Sequence, residues 1–559
     1  MSAGRGWPAG ARRSSGRGGG RVTDGQKIPP AQPTLRGALL ERLATTPRWD
    51  VAVIGGGATG LGVALDAASR GLSVVLVEAH DFAKGTSSRA TKLVHGGVRY
   101  LAQGNVSLVR EALRERSLLL ANAPHLARPL PFVMPSYRFW ETPFYGAGLV
   151  MYDALAGRAG LGSTRFLGRA DVEALLPNVQ SAGLRGGVLY WDGQFDDARL
   201  AIALARTAAR HGALLVNHCG VTGLLHEGGR VAGLTCCDSE TQRVFNVSAR
   251  CVVNAAGVWV DEVRALDAQG LGQRVEPMVA PSQGVHLVVD REFLPTDHAL
   301  LVPRTRDGRV LFAVPWLGKV VLGTTDTPRH DLALEPRPLE EEVAFILTEA
   351  ARHLARAPTR ADVRSTWVGL RPLVKPPTDD GENTRKISRE HTIVVSPGGL
   401  VTVTGGKWTT YRAMAEDVME RCHGAGLLPA SASMPVTGHL PLVGGEHVMP
   451  DHPGLAAAPG WHGYGTEAPQ VQALTGGDSW LAEGLSEAMV RFSIRCEYAR
   501  TVEDVLARRS RLLFLDAAAA ARAAPLVAAL LRQELGEGHD PRQGEFEALA
   551  EAYGRVEPS

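Results

Sequence analysis

The chain is predicted to be an α/β protein: a Rossmann-like nucleotide-binding body, an antiparallel-sheet substrate domain interleaved with it, and a helical C-terminal cap. Three observations predict this. An apolar strand, Val51 to Ile54, runs straight into Gly55-Gly56-Gly57-Ala58-Thr59-Gly60; the runs Val310 to Trp316 and Val320 to Asp326 have the pattern of a hairpin; and Trp480 to Leu535 alternates apolar and charged residues at helical spacing.

The nucleotide-binding unit comes first. Gly55, Gly57 and Gly60 stand at the three fingerprint positions, where the tight turn, the approach of a pyrophosphate and the helix-strand contact each exclude a Cβ. Backbone N–H groups at the start of the Ala58 to Arg70 helix would hold the phosphates. Gly71 ends that helix, Ser73 to Val77 reads as a buried parallel strand, and Glu78 lies about 20 residues beyond the glycines, where a ribose-binding acid belongs. The fingerprint by itself does not separate NAD from FAD.

Upstream, Met1 to Pro47 is rich in Gly, Arg, Ser and Pro and nearly free of acids, so residues 1–47 are expected to be a disordered basic extension with a short helical pattern around Leu35 to Leu43. It resembles a mitochondrial transit peptide, and Arg17 to Arg21 resembles an RNA-binding glycine-arginine segment, but interleaved aromatics are missing; a dispensable extension fits as well. Globally, 60 basic residues against 58 acidic ones give no nucleic-acid signal, and 45% hydrophobic with 21% charged residues is an ordinary globular composition. Six cysteines without a CxxC pair indicate neither a disulfide framework nor a metal site.

The body is expected to span 48–426, its substrate part roughly 121–190 and 270–365, followed by a Pro/Gly-rich linker and helical domain over 427–559. Cys251 to Asn254 reads as a strand returning to the nucleotide sheet and stopping at Gly257. Leu400 to Thr404 leads into Gly405-Gly406-Lys407 and a second helix start. A second glycine-gated element far from the first favours FAD, because a long flavin dinucleotide needs its adenylate and isoalloxazine ends held by separate segments. Leu512 to Leu531 is too interrupted by Asp516, Arg522 and Pro525 to span a membrane.

Between these elements lies Thr86-Ser87-Ser88-Arg89-Ala90-Thr91-Lys92-Leu93-Val94-His95-Gly96-Gly97-Val98-Arg99-Tyr100-Leu101, a polar, glycine-bearing stretch of the kind that lines sites. With the fingerprint, Asn254 to Trp259, Gly323 to Asp326, Val368-Gly369-Leu370-Arg371-Pro372 and Gly405 to Tyr411, it resembles the FAD-dependent, respiratory glycerol-3-phosphate dehydrogenase family, of the glycine-oxidase-like flavoproteins. The likeness spans Trp49 to Tyr411 and continues more loosely to Arg495 to Asp504.

That resemblance implies oxidation of sn-glycerol 3-phosphate to dihydroxyacetone phosphate, with noncovalently bound FAD passing electrons to membrane quinone. It places Gly55, Gly57, Gly60, Glu78, Ser87, Ser88, His95, Gly96, Gly97, Gly257, Gly405, Gly406 and Lys407 around FAD. A phosphomonoester needs planar, permanently charged donors, and Arg99 and Arg371 are the expected pair. His286, in Gln283 to Val288, aligns with the family's substrate-site histidine and is the first candidate base, although a histidine opening an apolar strand also fits a core position. Lys407 is the alternative base or a stabiliser of the reduced ring. Tyr100 and Thr410 are expected to meet substrate hydroxyls. Membrane quinone implies peripheral attachment, for which Phe139 to Ala156 is the candidate surface. The membrane would be the inner face of a bacterial cell membrane, or the mitochondrial inner membrane if the extension is a transit peptide. The rivals are an oxygen-using glycerol-3-phosphate oxidase, another hydroxy-acid or amino-acid dehydrogenase, and a flavin- or RNA-binding interaction protein.

Overall fold

A computed structural model describes residues 32–97, 101, 105–306, 308–375, 391–428, 434–447 and 451–555. Trp49–Ile54 is the centre of the nucleotide sheet, paired in parallel with Val74–Val77 on one side and with Val244–Asn254 on the other. Leu214–Val216 and Val401–Gly405 extend it in parallel, and the strand ending at Asn254 returns to the nucleotide sheet as the sequence indicated. Helix Ala58–Ser69 packs between Tyr411–Gly424 and Asp197–Arg210. Its small residues allow this: a Cβ on Gly62 would stand 2.9 Å from the Tyr411 ring.

Among the described residues the second sheet has ten strands, mostly antiparallel. Leu311–Trp316 and Lys319–Gly323 form the expected hairpin, and Val279–Asp290 lies beside Lys319–Gly323 and Ser365–Val374. This register sets His286 opposite Gly323 and Trp367, and Ser282 opposite Arg371. Helices Glu487–Cys496, Leu512–Leu515, Ala517–Leu535 and Gln543–Gly554 share an apolar core that reaches Trp316 and Trp367 of the sheet.

Within the expected extension, the helical pattern around Leu35 to Leu43 is the helix Arg36–Thr45. Arg36 donates to the Asn217 carbonyl at 3.0 Å and pairs with Asp238, so its aliphatic and charged parts are both used in docking. Residues 1–31 lie outside those described. Nearby, Asp81, His218 and Asp504 converge in the interior. Arg508 and Arg509 already pair with Asp81, and Arg508 with Asp504 at 2.8 Å, so this cluster is an ion-pair lattice that fastens the C-terminal domain to the nucleotide body. Among the described residues no helix is long and apolar enough to cross a membrane.

Candidate functional site

The glycine turn is built for close backbone approach. Gly55 has φ +104°, and a Cβ there would lie 2.7 Å from the Ala255 carbonyl oxygen; a Cβ on Gly60 would overlap the Gly55 oxygen outright. Gly57 faces the Ser87 hydroxyl, which accepts from the Ala58 N–H at 2.9 Å at the helix start. Gly56, which the fingerprint reading passed over, is equally constrained: a Cβ would meet the Phe82 ring, and its N–H donates to Glu78 Oε2 at 2.6 Å. Burial raises the Glu78 carboxyl above its ordinary range, against the stabilising N–H groups of His80 and Gly56. Gly257, Gly405 and Gly406 all have positive φ, and the Thr404 hydroxyl donates to the Gly257 carbonyl at 3.1 Å. A glycine-lined groove at a helix N-terminus with an acid beside it fits FAD, as the first and last segments of the sheet are both needed to frame it.

Residues 86–97 join this cradle to the substrate sheet. The Trp408 indole donates to the Ser87 carbonyl at 2.8 Å, and the His95 N–H to Thr409 Oγ1 at 3.3 Å, on the nucleotide side. On the sheet side Thr86 donates to the Leu370 carbonyl at 2.6 Å, and Thr91 Oγ1 lies 2.9 Å from His286 Nε2. The Ser88 carbonyl receives both Lys92 Nζ and Arg511, each at 2.8 Å. Gly96 donates to the Tyr152 hydroxyl at 2.8 Å and has no room for a side chain against Leu113; Gly97 turns at φ +74°.

His286 is buried, its ring stacked on Trp367 at 4.1 Å between centroids. Gly323 opposite leaves space for it, since a Cβ there would stand 3.0 Å from the Val285 oxygen and strike the imidazole. Burial first, then Lys92 and Arg371, hold His286 well below the usual histidine range, so the ring is neutral at pH 7. Nδ1 is buried without a hydrogen-bond partner among the described residues.

Arg371 projects over Gly284, whose missing side chain makes its room. Its guanidinium donates to Thr324 Oγ1 at 3.2 Å and the Thr325 carbonyl at 3.0 Å, with Asp326 at 3.5 Å, and its side chain keeps 22% exposure. Glu342, which the sequence reading missed, organises this turn: buried, it accepts from Thr325 at 2.8 Å, Thr327 at 2.6 Å and the Leu339 N–H at 3.0 Å. Nothing in its Glu340-Glu341-Glu342 context marks it out, because only tertiary contact distinguishes it from its exposed neighbours.

Lys407 and Thr410 line a separate cavity of about 200 Å³ with Ser107, Glu111 and His391, and the Thr410 hydroxyl donates to the Lys407 carbonyl at 3.4 Å. The candidates therefore form two groups, the glycine cradle with Lys407 and Thr410, and the sheet pair His286 and Arg371, with residues 86–97 reaching both. Arg99 and Tyr100 lie outside the described residues.

A family model described as FAD dependent oxidoreductase matches residues 50–421, and one described as the C-terminal domain of alpha-glycerophosphate oxidase matches residues 435–541. The chain is 42% identical over 552 residues to the mitochondrial glycerol-3-phosphate dehydrogenase of Mus musculus, covering 92% of this chain and 74% of that protein. It is 40% identical to a mitochondrial glycerol-3-phosphate dehydrogenase of Arabidopsis thaliana, covering 93% and 89%. Among solved structures, it resembles the glycerol-3-phosphate dehydrogenase from Bacillus halodurans complexed with FAD, with a TM-score of 0.73 and 27% identity over 94% of this chain and 98% of that one.

Proposed function

Since the chain belongs to the glycerol-3-phosphate dehydrogenases of the FAD-dependent oxidoreductase family, we propose that it oxidises sn-glycerol 3-phosphate to dihydroxyacetone phosphate with noncovalently bound FAD and passes the electrons to membrane quinone. The observation that carries the reading is a partly exposed arginine and a buried neutral histidine held on adjacent strands of one sheet. Arg371 binds the phosphate, which carries about −1.5 to −2 charges at pH 7; Arg99 is its partner. With Nε2–H donated to Thr91, His286 keeps a lone pair on Nδ1, the atom that takes the C2 hydroxyl proton. FAD, when bound, supplies the hydride acceptor. Gly55, Gly57 and Gly60 would admit its pyrophosphate, Glu78 would receive the ribose, Ser87, Ser88, His95, Gly96, Gly97, Gly257, Gly405 and Gly406 would frame the rest, and Lys407 would set a cation beside it. Tyr100 and Thr410 contact substrate hydroxyls.

Anaerobic addition of glycerol 3-phosphate is expected to bleach the yellow protein within seconds, whereas glycerol or an amino acid leaves it yellow. No bleaching by glycerol 3-phosphate defeats the reading. The match of residues 435–541 to an oxidase's C-terminal domain favours one second reading, transfer to oxygen. Near-stoichiometric peroxide per turnover in the presence of quinone would select it.

We assign attachment to a quinone-bearing membrane to the face around helix Glu141–Ala156. Phe139 is 82% exposed, Phe144 66% and Phe166 56%, and Arg138, Arg158 and Arg165 are exposed beside them. Leu149 and Tyr152 from the expected surface belong instead to the interior, Tyr152 donating to Asp192 at 2.8 Å. Solvent-exposed phenylalanines ringed by arginine suit an anionic interface. The protein is expected to float with phosphatidylglycerol vesicles, and Phe139→Ser/Phe144→Ser to lose most of that binding while bleaching normally. Equal flotation of the variant removes the assignment.

A further inference from the structure

We propose that Glu342 is a positioning residue for phosphate recognition: its carboxylate holds the turn Thr324 to Thr327 on which the Arg371 guanidinium rests, and so fixes where that guanidinium points. The inference rests on the reading of Arg371 as phosphate ligand.

Arg371 is seated on a neighbouring segment. Its guanidinium donates to Thr324 Oγ1 at 3.2 Å and to the Thr325 carbonyl at 3.0 Å, and Asp326 stands 3.5 Å away. Side chains along an extended segment alternate in direction, and this one has two working faces. Those of Thr324 and Asp326 meet Arg371, whereas the Thr325 and Thr327 hydroxyls donate to Glu342 Oε1 at 2.8 and 2.6 Å. One carboxylate therefore grips the back of the surface whose front seats the guanidinium. Planar peptide units join the two faces, so a shift of the back carries the front with it.

The second oxygen ties this grip to the strand that carries His286. Glu342 Oε2 accepts from the Gln283 side-chain amide, and Gln283 pairs with Thr327 on one side of strand Val279–Asp290 and with Leu370 on the other. The Thr325 hydroxyl that donates to Glu342 also accepts from the Val285 N–H at 3.0 Å, one residue before His286. The seat of Arg371 is thereby registered against the histidine, so one side chain sets the two candidate substrate groups relative to each other. Glu342, Thr325 and Gln283 are all buried, and breaking such bonds is costly because each donor would be left unsatisfied.

Capping of helix Glu340–His353 accounts for only part of this arrangement. Glu342 Oε2 accepts from the Leu339 N–H at 3.0 Å, which is the ordinary duty of an acid in a first helical turn. A shorter acid performs that duty elsewhere in the chain: Asp171 accepts from the Gly168 N–H at 3.0 Å at the start of helix Arg169–Leu175. The bonds to Thr325, Thr327 and Gln283 serve no helix. They need the longer side chain, and they all lead to the seat of Arg371.

The test uses the FAD-loaded full chain and glycerol 3-phosphate in anaerobic stopped flow, which reads apparent affinity and limiting flavin reduction separately. Glu342→Asp keeps an acid for the helix start but withdraws it from the threonines by one methylene group, so capping and turn-holding come apart. Its apparent affinity is expected to fall about tenfold, with the limiting rate changed about twofold at most. In an Arg371→Ala background the same substitution is expected to leave affinity nearly unchanged, because the group it positions is gone. Unchanged affinity in Glu342→Asp, or an equal loss with and without Arg371, overturns the proposal, since a merely structural role does not depend on the guanidinium. Wild-type affinity in Arg371→Ala alone overturns the phosphate reading and the proposal with it, so the two failures are told apart. Should Glu342→Asp lose flavin, Thr327→Val, which removes one grip and spares the cap, is carried through both backgrounds. A loss of about threefold only where Arg371 is present supports the proposal; no loss, or an equal loss in both, overturns it.

Discussion

Replacing Gly60 with alanine is expected to give colourless protein. The added methyl would overlap the Gly55 carbonyl oxygen, and because both partners are backbone of the same tight turn, neither has a rotamer through which to escape. The turn must open, which shifts the N–H groups of Gly57 and Ala58 away from where a pyrophosphate would lie and breaks the contact of the Ala58 N–H with Ser87. Gly71→Ala is the control: Gly71 also has positive φ, at +83°, but open space surrounds its Cβ, so only modest backbone strain follows, about 1 kcal/mol. FAD absorbance per protein separates the two. Gly60→Ala retaining full flavin would mean that the cofactor lies elsewhere.

The second large effect belongs to Arg371. Truncation to alanine removes a planar cation from a site that must take up a dianionic phosphate, and leaves Asp326 without the guanidinium 3.5 Å from it. A loss of about 3 kcal/mol corresponds to roughly a hundredfold in apparent affinity for glycerol 3-phosphate. Arg371→Lys should recover only part, because a lysine offers charge without the fork that binds two oxygens at once. The expected signature is a raised KM with saturating flavin reduction much less affected, read by stopped flow. Wild-type affinity in Arg371→Ala would dismiss the phosphate assignment.

Much of this was legible in the sequence for identifiable reasons. Gly55, Gly257 and the Gly405-Gly406 pair are legible because positive φ is a demand of the local backbone, so the residue type records the geometry. The same holds for the Leu311–Trp316 and Lys319–Gly323 hairpin, whose period and turn are both short-range. The aromatic stretch Phe139 to Ala156 was only half legible, since composition shows which residues are aromatic and not which side of the Glu141–Ala156 helix meets solvent. The helix at Arg36–Thr45 was legible in the pattern around Leu35 to Leu43, but its docking was not, because Arg36 is held by Asp238 and Asn217, some two hundred residues away.

The amino-acid order alone determined the nucleotide-binding unit, the family resemblance and the choice of Arg371 as candidate phosphate ligand, because each depends on residues adjacent in the chain or on motifs whose order is itself the signal. Only the tertiary structure decided the electrical state of the site. Glu342 looks like an ordinary surface charge when read in line, and it acquires a role through burial against Thr325 and Gln283, partners from other segments. Desolvation and Coulomb interaction depend on distances through space, and a sequence read in line does not record those distances.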